Sequence, residues 1–121
     1  MRLRELGEFG LIARIERIAQ GGAGARVALG IGDDAALLRL RAREEVALTT
    51  DASVEGVHFR LGAEPPARIG RRALVANLSD LAAMGARPLG FALALAAPPS
   101  LDARVALGLV RGAAHAGAAC G

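Results

Sequence analysis

Between residues 8 and 19 apolar side chains recur at helical spacing. Leu11, Ile12, Ile15, Ile18 and Ala19 share one face, while Arg14 and Arg17 fall on another. Gln20, Gly21 and Gly22 end that run. From Val27 to Phe59 the period shortens, and glycine and acidic residues divide the chain into strand-like runs at 27–29, 35–40, 46–50 and 54–59. Pro65 and Pro66 open a long helical segment that continues to about Ala86, because proline suits the first helical turn, where its missing N–H has no partner to lose. Residues 87–97 read as an apolar strand, and Pro98, Pro99 and Ser100 lead into a last helix over 101–118. Helix, strands, helix, strand, helix is the order of an α+β fold, with a mixed sheet packed by helices.

Composition narrows the class. At 121 residues with 53% hydrophobic positions, the chain fits one domain able to bury a core. No internal repeat or low-complexity linker divides it. No apolar run approaches the roughly 20 residues of a membrane span, and the N-terminus lacks the apolar stretch of a signal peptide. A cytoplasmic location is therefore expected. Cys120 stands alone, which rules out an internal disulfide and argues against a cysteine zinc site. The net charge of +3 comes from 15 arginines and no lysine, scattered rather than striped, and the only aromatic residues are three phenylalanines. Nucleic acid is not an expected partner.

Candidate chemistry concentrates in acidic positions beside glycine and threonine. If the runs flanking Arg-Ala-Arg-Glu at 41–44 form a hairpin, Leu40 pairs with Glu45 and Asp34 comes to lie opposite Asp51. Opposed carboxylates with Cβ atoms about 4.5 to 5.5 Å apart repel each other unless a cation lies between them. A slip of one residue would turn one of them to the other face. A third carboxylate comes from the helix after the prolines. There Leu74, Leu78 and Leu81 make an apolar face, and Arg68, Arg72 and Ser79 a polar side. Asp80 belongs to neither. It shares a stripe with Ile69, Ala73, Ala76 and Met84, where an unpaired charge is costly. Asp80 thus caps a following helix, pairs with an arginine, or serves a ligand.

Asp34, with Asp33 beside it, together with Asp51, Asp80 and the hydroxyls of Thr49 and Thr50, forms a hard, all-oxygen donor set. Such a set suits Mg²⁺ over zinc, and Mg²⁺ so held shares phosphate oxygens, which points to phosphoryl transfer. The plain alternative is an exposed acidic loop. The Gly-Ile-Gly-Asp-Asp stretch is neither a P-loop nor a dinucleotide fingerprint, so metal ions would have to neutralise a nucleotide's phosphates. His58, just beyond the Asp51 strand end, either reaches a ligand phosphate or is an ordinary satisfied polar residue. His115, in the alanine-rich last helix, reads as structural or exposed.

GEFGLIARI, GIGDDAALL, TTDASVEGVHF and ALVANLSDLAAMGARPLGFALAL occur in this order and at separations that resemble the thiamine-monophosphate kinases of the aminoimidazole ribonucleotide synthetase superfamily. The resemblance covers residues 7–121. It implies transfer of the γ-phosphate of ATP to thiamine monophosphate through several Mg²⁺ ions. It places metal-binding roles on Asp34, Thr49, Thr50, Asp51 and Asp80, less firmly on Asp33, and contact with thiamine phosphate on His58. No general base is implied, since the acceptor is already an anionic phosphate. The resemblance also implies a homodimer joined through N-terminal strands. Family members carry a Gly-Gly-Asp-Thr motif and a further α/β domain beyond this point, so the 121 residues are expected to correspond to the N-terminal domain, with little or no activity by themselves. Rival readings are another ATP-dependent synthetase of the superfamily and a non-catalytic dimerisation or nucleotide-binding module.

Overall fold

The computed structural model describes residues 1–20 and 24–120. Its elements are α1 (Leu3–Ala19), β1 (Val27–Leu29), β2 (Leu37–Leu38), α2 (Pro66–Ala83) and α3 (Ala103–Ala119), an α+β set. The helix expected from Glu8 is preceded by an extra turn. The two are separated at Gly7, whose φ of 71° and ψ of 169° interrupt the helix in a region open to glycine. The backbone N–H of Arg2 donates to Glu5 Oε2 at 2.8 Å, which closes the N-terminus of α1. Gly21 and Gly22, expected to end that helix, lie outside the described residues.

The core sits between α2 and α3. Leu74 is buried with Ala113 and Ala116, and Leu78 packs against them. The expected apolar face of α2 is the face that is used. Small residues let the two helices approach closely: a Cβ added at Gly70 would lie 1.8 Å from the carbonyl oxygen of Leu109, and one at Gly112 would lie 1.8 Å from that of Ala67. Pro66 occupies the first turn of α2 as expected. Asp102 caps α3 by accepting from the Arg104 backbone N–H at 2.8 Å. The N-terminus docks on this cap, with Leu3 N–H donating to Leu101 O at 2.9 Å and Ala103 N–H to Met1 O at 3.0 Å.

The sheet departs from expectation. β2 pairs antiparallel with β1, matching Val27 to Leu38 and Leu29 to Leu37 across an irregularity, and not with the run beyond the 41–44 turn. A side-chain clamp accounts for this. Arg26 donates to both carboxylate oxygens of Glu44, at 2.9 and 2.7 Å, and to the carbonyl of Arg39 at 2.9 Å, while Glu44 also accepts from the Arg41 N–H at 2.7 Å. The turn is thereby tied to β1, and the ladder that would oppose Asp34 to Asp51 does not form.

Residues 54–59 are a tight loop and not a strand. Gly56 has a φ of 81°, and its N–H donates to Phe59 O at 2.8 Å. Residues 46–50 and 87–97 belong to no strand among the described residues, although large and small apolar residues alternate in sequence at 91–95. Val46, Leu48, Phe91, Leu93 and Leu95 are all exposed, Leu48 at 87%.

Candidate functional site

Two contacts bring the flagged residues together. In the first, the Thr49 hydroxyl donates to Asp80 Oδ2 at 3.0 Å, joining the 46–50 segment to the second half of α2 across 31 residues of sequence. Asp80 has neither of the structural roles open to it on spacing alone. It is not an N-cap, and the ion pairs among the described residues are Arg26–Glu44, Arg72–Glu64 and Arg104–Asp102.

The second is a cavity of about 310 Å³ lined by Asp51, Ala52, Ser53, His58, Arg72, Ala73 and Ala76. Ala73, Ala76 and Asp80 fall three and four residues apart on α2, so the cavity wall and the Thr49–Asp80 contact share one helix face. This is the stripe of small residues on which the sequence had set Asp80, but Ala76, Asp80 and Met84 are exposed, so the burial cost expected there does not arise. Thr49, Asp51 and Ser53 alternate along the neighbouring segment.

His58 is held by its own loop. Its Nδ1 accepts from the Val54 N–H at 3.1 Å, and its backbone N–H donates to Val54 O at 2.9 Å. A neutral imidazole that accepts at Nδ1 carries its proton on Nε2, which is left to serve as a donor. The loop thus fixes the ring of a residue that lines the same cavity as Asp51.

Arg72 and Ser53 complete the lining and were not singled out by their sequence. Arg72 is fixed from behind by Glu64, which accepts two hydrogen bonds at 2.9 and 2.6 Å. The guanidinium holds the Glu64 carboxyl below its ordinary range, and Glu64 in turn raises Arg72. A signal was available: Arg72 precedes Ala73 and stands four residues before Ala76, at the edge of the stripe.

The remaining candidates lie apart. Asp33 and Asp34 are exposed in a turn around Gly32, whose φ is 118°, and Asp33 Oδ1 accepts the Asp34 N–H at 2.8 Å. Thr50 is exposed and joins neither contact. Among the described residues, no group of three or more His, Cys, Asp or Glu side chains is close enough to hold a metal ion. Within this chain the oxygen donors are brought together in pairs: Thr49 with Asp80, and Asp51 with the His58 loop.

Against known families, residues 32–121 match the protein-family model described as AIR synthase related protein, N-terminal domain. The chain belongs to this family. The matched span holds every candidate site residue, from Asp33 to Asp80, and leaves out α1. Among curated relatives, the chain is 48% identical over 96 residues to the thiamine-monophosphate kinase of Synechococcus elongatus, covering 79% of this chain and 27% of that protein. It is 48% identical over 93 residues to the Escherichia coli K12 protein of the same name, covering 76% and 28%. To that of Mycobacterium tuberculosis it is 41% identical over 110 residues, covering 91% and 32%. The chain thus spans about a quarter to a third of the length of these relatives. No solved structure matches it significantly.

Proposed function

We propose that residues 1–121 are the nucleotide- and metal-binding N-terminal domain of a thiamine-monophosphate kinase. In that reaction an oxygen of the thiamine phosphate attacks the γ-phosphorus of ATP. The bond from that phosphorus to the β–γ bridging oxygen breaks, and thiamine diphosphate and ADP leave. The observation that carries the reading is the Thr49–Asp80 hydrogen bond, which joins the Thr-Thr-Asp segment to the Asn-Leu-Ser-Asp end of α2. The relatives' shared name supplies the reaction.

The donors fit Mg²⁺, since hydroxyl and carboxylate oxygens are the ligands of a hard cation. Thr49, Asp51 and Asp80 would hold such ions from this side of the site, and Asp34, Thr50 and the adjacent Asp33, which lie apart here, are assigned on the family resemblance alone. Bound there, Mg²⁺ would neutralise charge on the transferring phosphoryl group. His58 and Arg72 would face the acceptor phosphate from the cavity. The acceptor is an anion near neutral pH, so no side chain is assigned as a base. Positioning and charge neutralisation carry the rate.

Two further parts of the reading follow. The exposed alternating residues Val46, Leu48, Phe91, Leu93 and Leu95 suit a homodimer in which a second copy supplies the missing ladder partners. A monomer by light scattering at micromolar concentration would remove that part. On this reading a reaction on free ATP suits a cytoplasmic location. Among the described residues, no helix is long and apolar enough to cross a membrane.

The test is a hybrid in which these 121 residues replace the matching segment of the Escherichia coli relative. Thiamine diphosphate formation by the hybrid supports the proposal, with little or none from the 121 residues alone. A folded hybrid that binds thiamine monophosphate but makes no product overturns it. One observation favours a second reading: among the described residues no three His, Cys, Asp or Glu side chains converge, as in a dimerisation module without nucleotide. Calorimetry separates the two, because such a module would show no Mg²⁺-dependent heat with ATP.

A further inference from the structure

Where α1 packs on α3, Arg14, Arg17, Ile18, Leu107 and Arg111 line a solvent-open cavity of about 290 Å³. Three arginines therefore line one space, and no acidic residue does. None of the three belongs to an ion pair among the described residues. Arg14 is half-buried, and its side-chain hydrogen bond is to the weak acceptor Met1 Sδ at 3.8 Å. Two of the three acidic residues of α1 are directed elsewhere: Glu5 caps the helix start, and Glu16 lies against Gly32, where an added Cβ would be 3.4 Å from its Oε1; the third, Glu8, does not line the cavity.

Arg17 has a local role open to it, since it sits in the last turn of α1, where a cation complements the helix dipole. That role does not extend to Arg14, a turn earlier, or to Arg111 in the middle of α3. Residues from two helices at opposite ends of the chain converge with like charge. An anion between them removes their repulsion. The planar guanidinium fork is matched to oxyanions, above all phosphate. Ile18 and the buried Leu107 add an apolar floor that would take the organic part of such a ligand.

We propose that this groove is a metal-independent binding site for a small phosphorylated anion. It shares no lining residue with the Asp51–His58 cavity and includes α1 residues outside the family match. The site therefore stands or falls separately from the kinase reading.

The test is calorimetric titration of the 121-residue chain with inorganic pyrophosphate in the presence of EDTA. Saturable one-to-one binding that weakens with added salt is expected. Arg14→Gln and Arg111→Gln should each weaken binding about tenfold or more, as removal of a charge-assisted contact does. Asp80→Asn should leave it unchanged. If Arg14→Gln fails to fold by circular dichroism, the exposed Arg111→Gln decides. Absence of saturation at millimolar pyrophosphate, unchanged binding by a folded Arg111→Gln, or citrate binding as tightly as pyrophosphate would each overturn the proposal.

Discussion

Replacing Gly112 by alanine should destabilise the fold, although a central helical position ordinarily gains from this change. In a helix open to solvent, Gly→Ala is worth about 0.5 to 1 kcal/mol of added stability through reduced unfolded-state freedom and better propensity. Here the new Cβ would stand 1.8 Å from Ala67 O and 2.6 Å from Ala67 C, both backbone atoms that cannot rotate away. Reaching ordinary contact at 3.4 Å requires α2 and α3 to part by about 1.6 Å at this crossing. The separation opens the seam where Leu74 meets Ala113 and Ala116. Overpacking of this kind costs about 1 to 3 kcal/mol, occasionally more, which outweighs the propensity gain. A net loss of about 1 to 2 kcal/mol should appear as a lower urea midpoint with an unchanged slope. Gly70→Ala should behave alike against Leu109. The double variant should lose less than the sum, because one separation relieves both clashes. A Gly112→Ala midpoint at or above that of the parent would refute the close approach of α2 and α3.

Other predictions concern charge and the site. Arg26 and the Arg41 N–H pull the Glu44 carboxyl from its ordinary 4.5 down to about 2, so the stability it contributes is complete above pH 4.5 and is lost as pH falls towards 2. Melting temperature should decline through that window, and Arg26→Gln should flatten the decline; identical profiles for the two proteins would contradict the clamp. Asp102→Ala removes the α3 cap and the Arg104 pair, and should lower the melting temperature by a few degrees in a thermal scan. Thr49→Val, made in the hybrid kinase, should reduce kcat about tenfold with an unchanged circular dichroism spectrum, since it deletes one donor to Asp80 and little volume.

The helices were legible because their signals are local. Leu74 and Leu78 fall on the face that α3 covers, Pro66 starts α2, and the last helix begins two residues after its expected position, at the Asp102 cap. The sheet was less so, because pairing depends on contacts between distant residues. Nothing in the alternation around residues 41–44 reveals that Arg26 will bind Glu44 and draw the turn onto β1. At 54–59 the apolar pattern suggested a strand, but Gly56 at positive φ and the His58 ring taking the Val54 N–H fix a loop. The site was legible to the extent that charge stood out against its surroundings. Asp80 among alanines was such a place, and it meets Thr49. Arg72 escaped notice because an arginine on a polar helix face is ordinary until Glu64 is seen to hold it against the cavity.

In the proposed function Asp80 acts as a ligand residue of a phosphoryl-transfer site and not as a structural one. Its most direct test is the rate of thiamine diphosphate formation by the hybrid kinase carrying Asp80→Asn, measured with the melting temperature of the same protein. A fall in kcat of about a hundredfold or more is expected, with the melting temperature within a few degrees of the parent. A folded variant with the parent's kcat would contradict it.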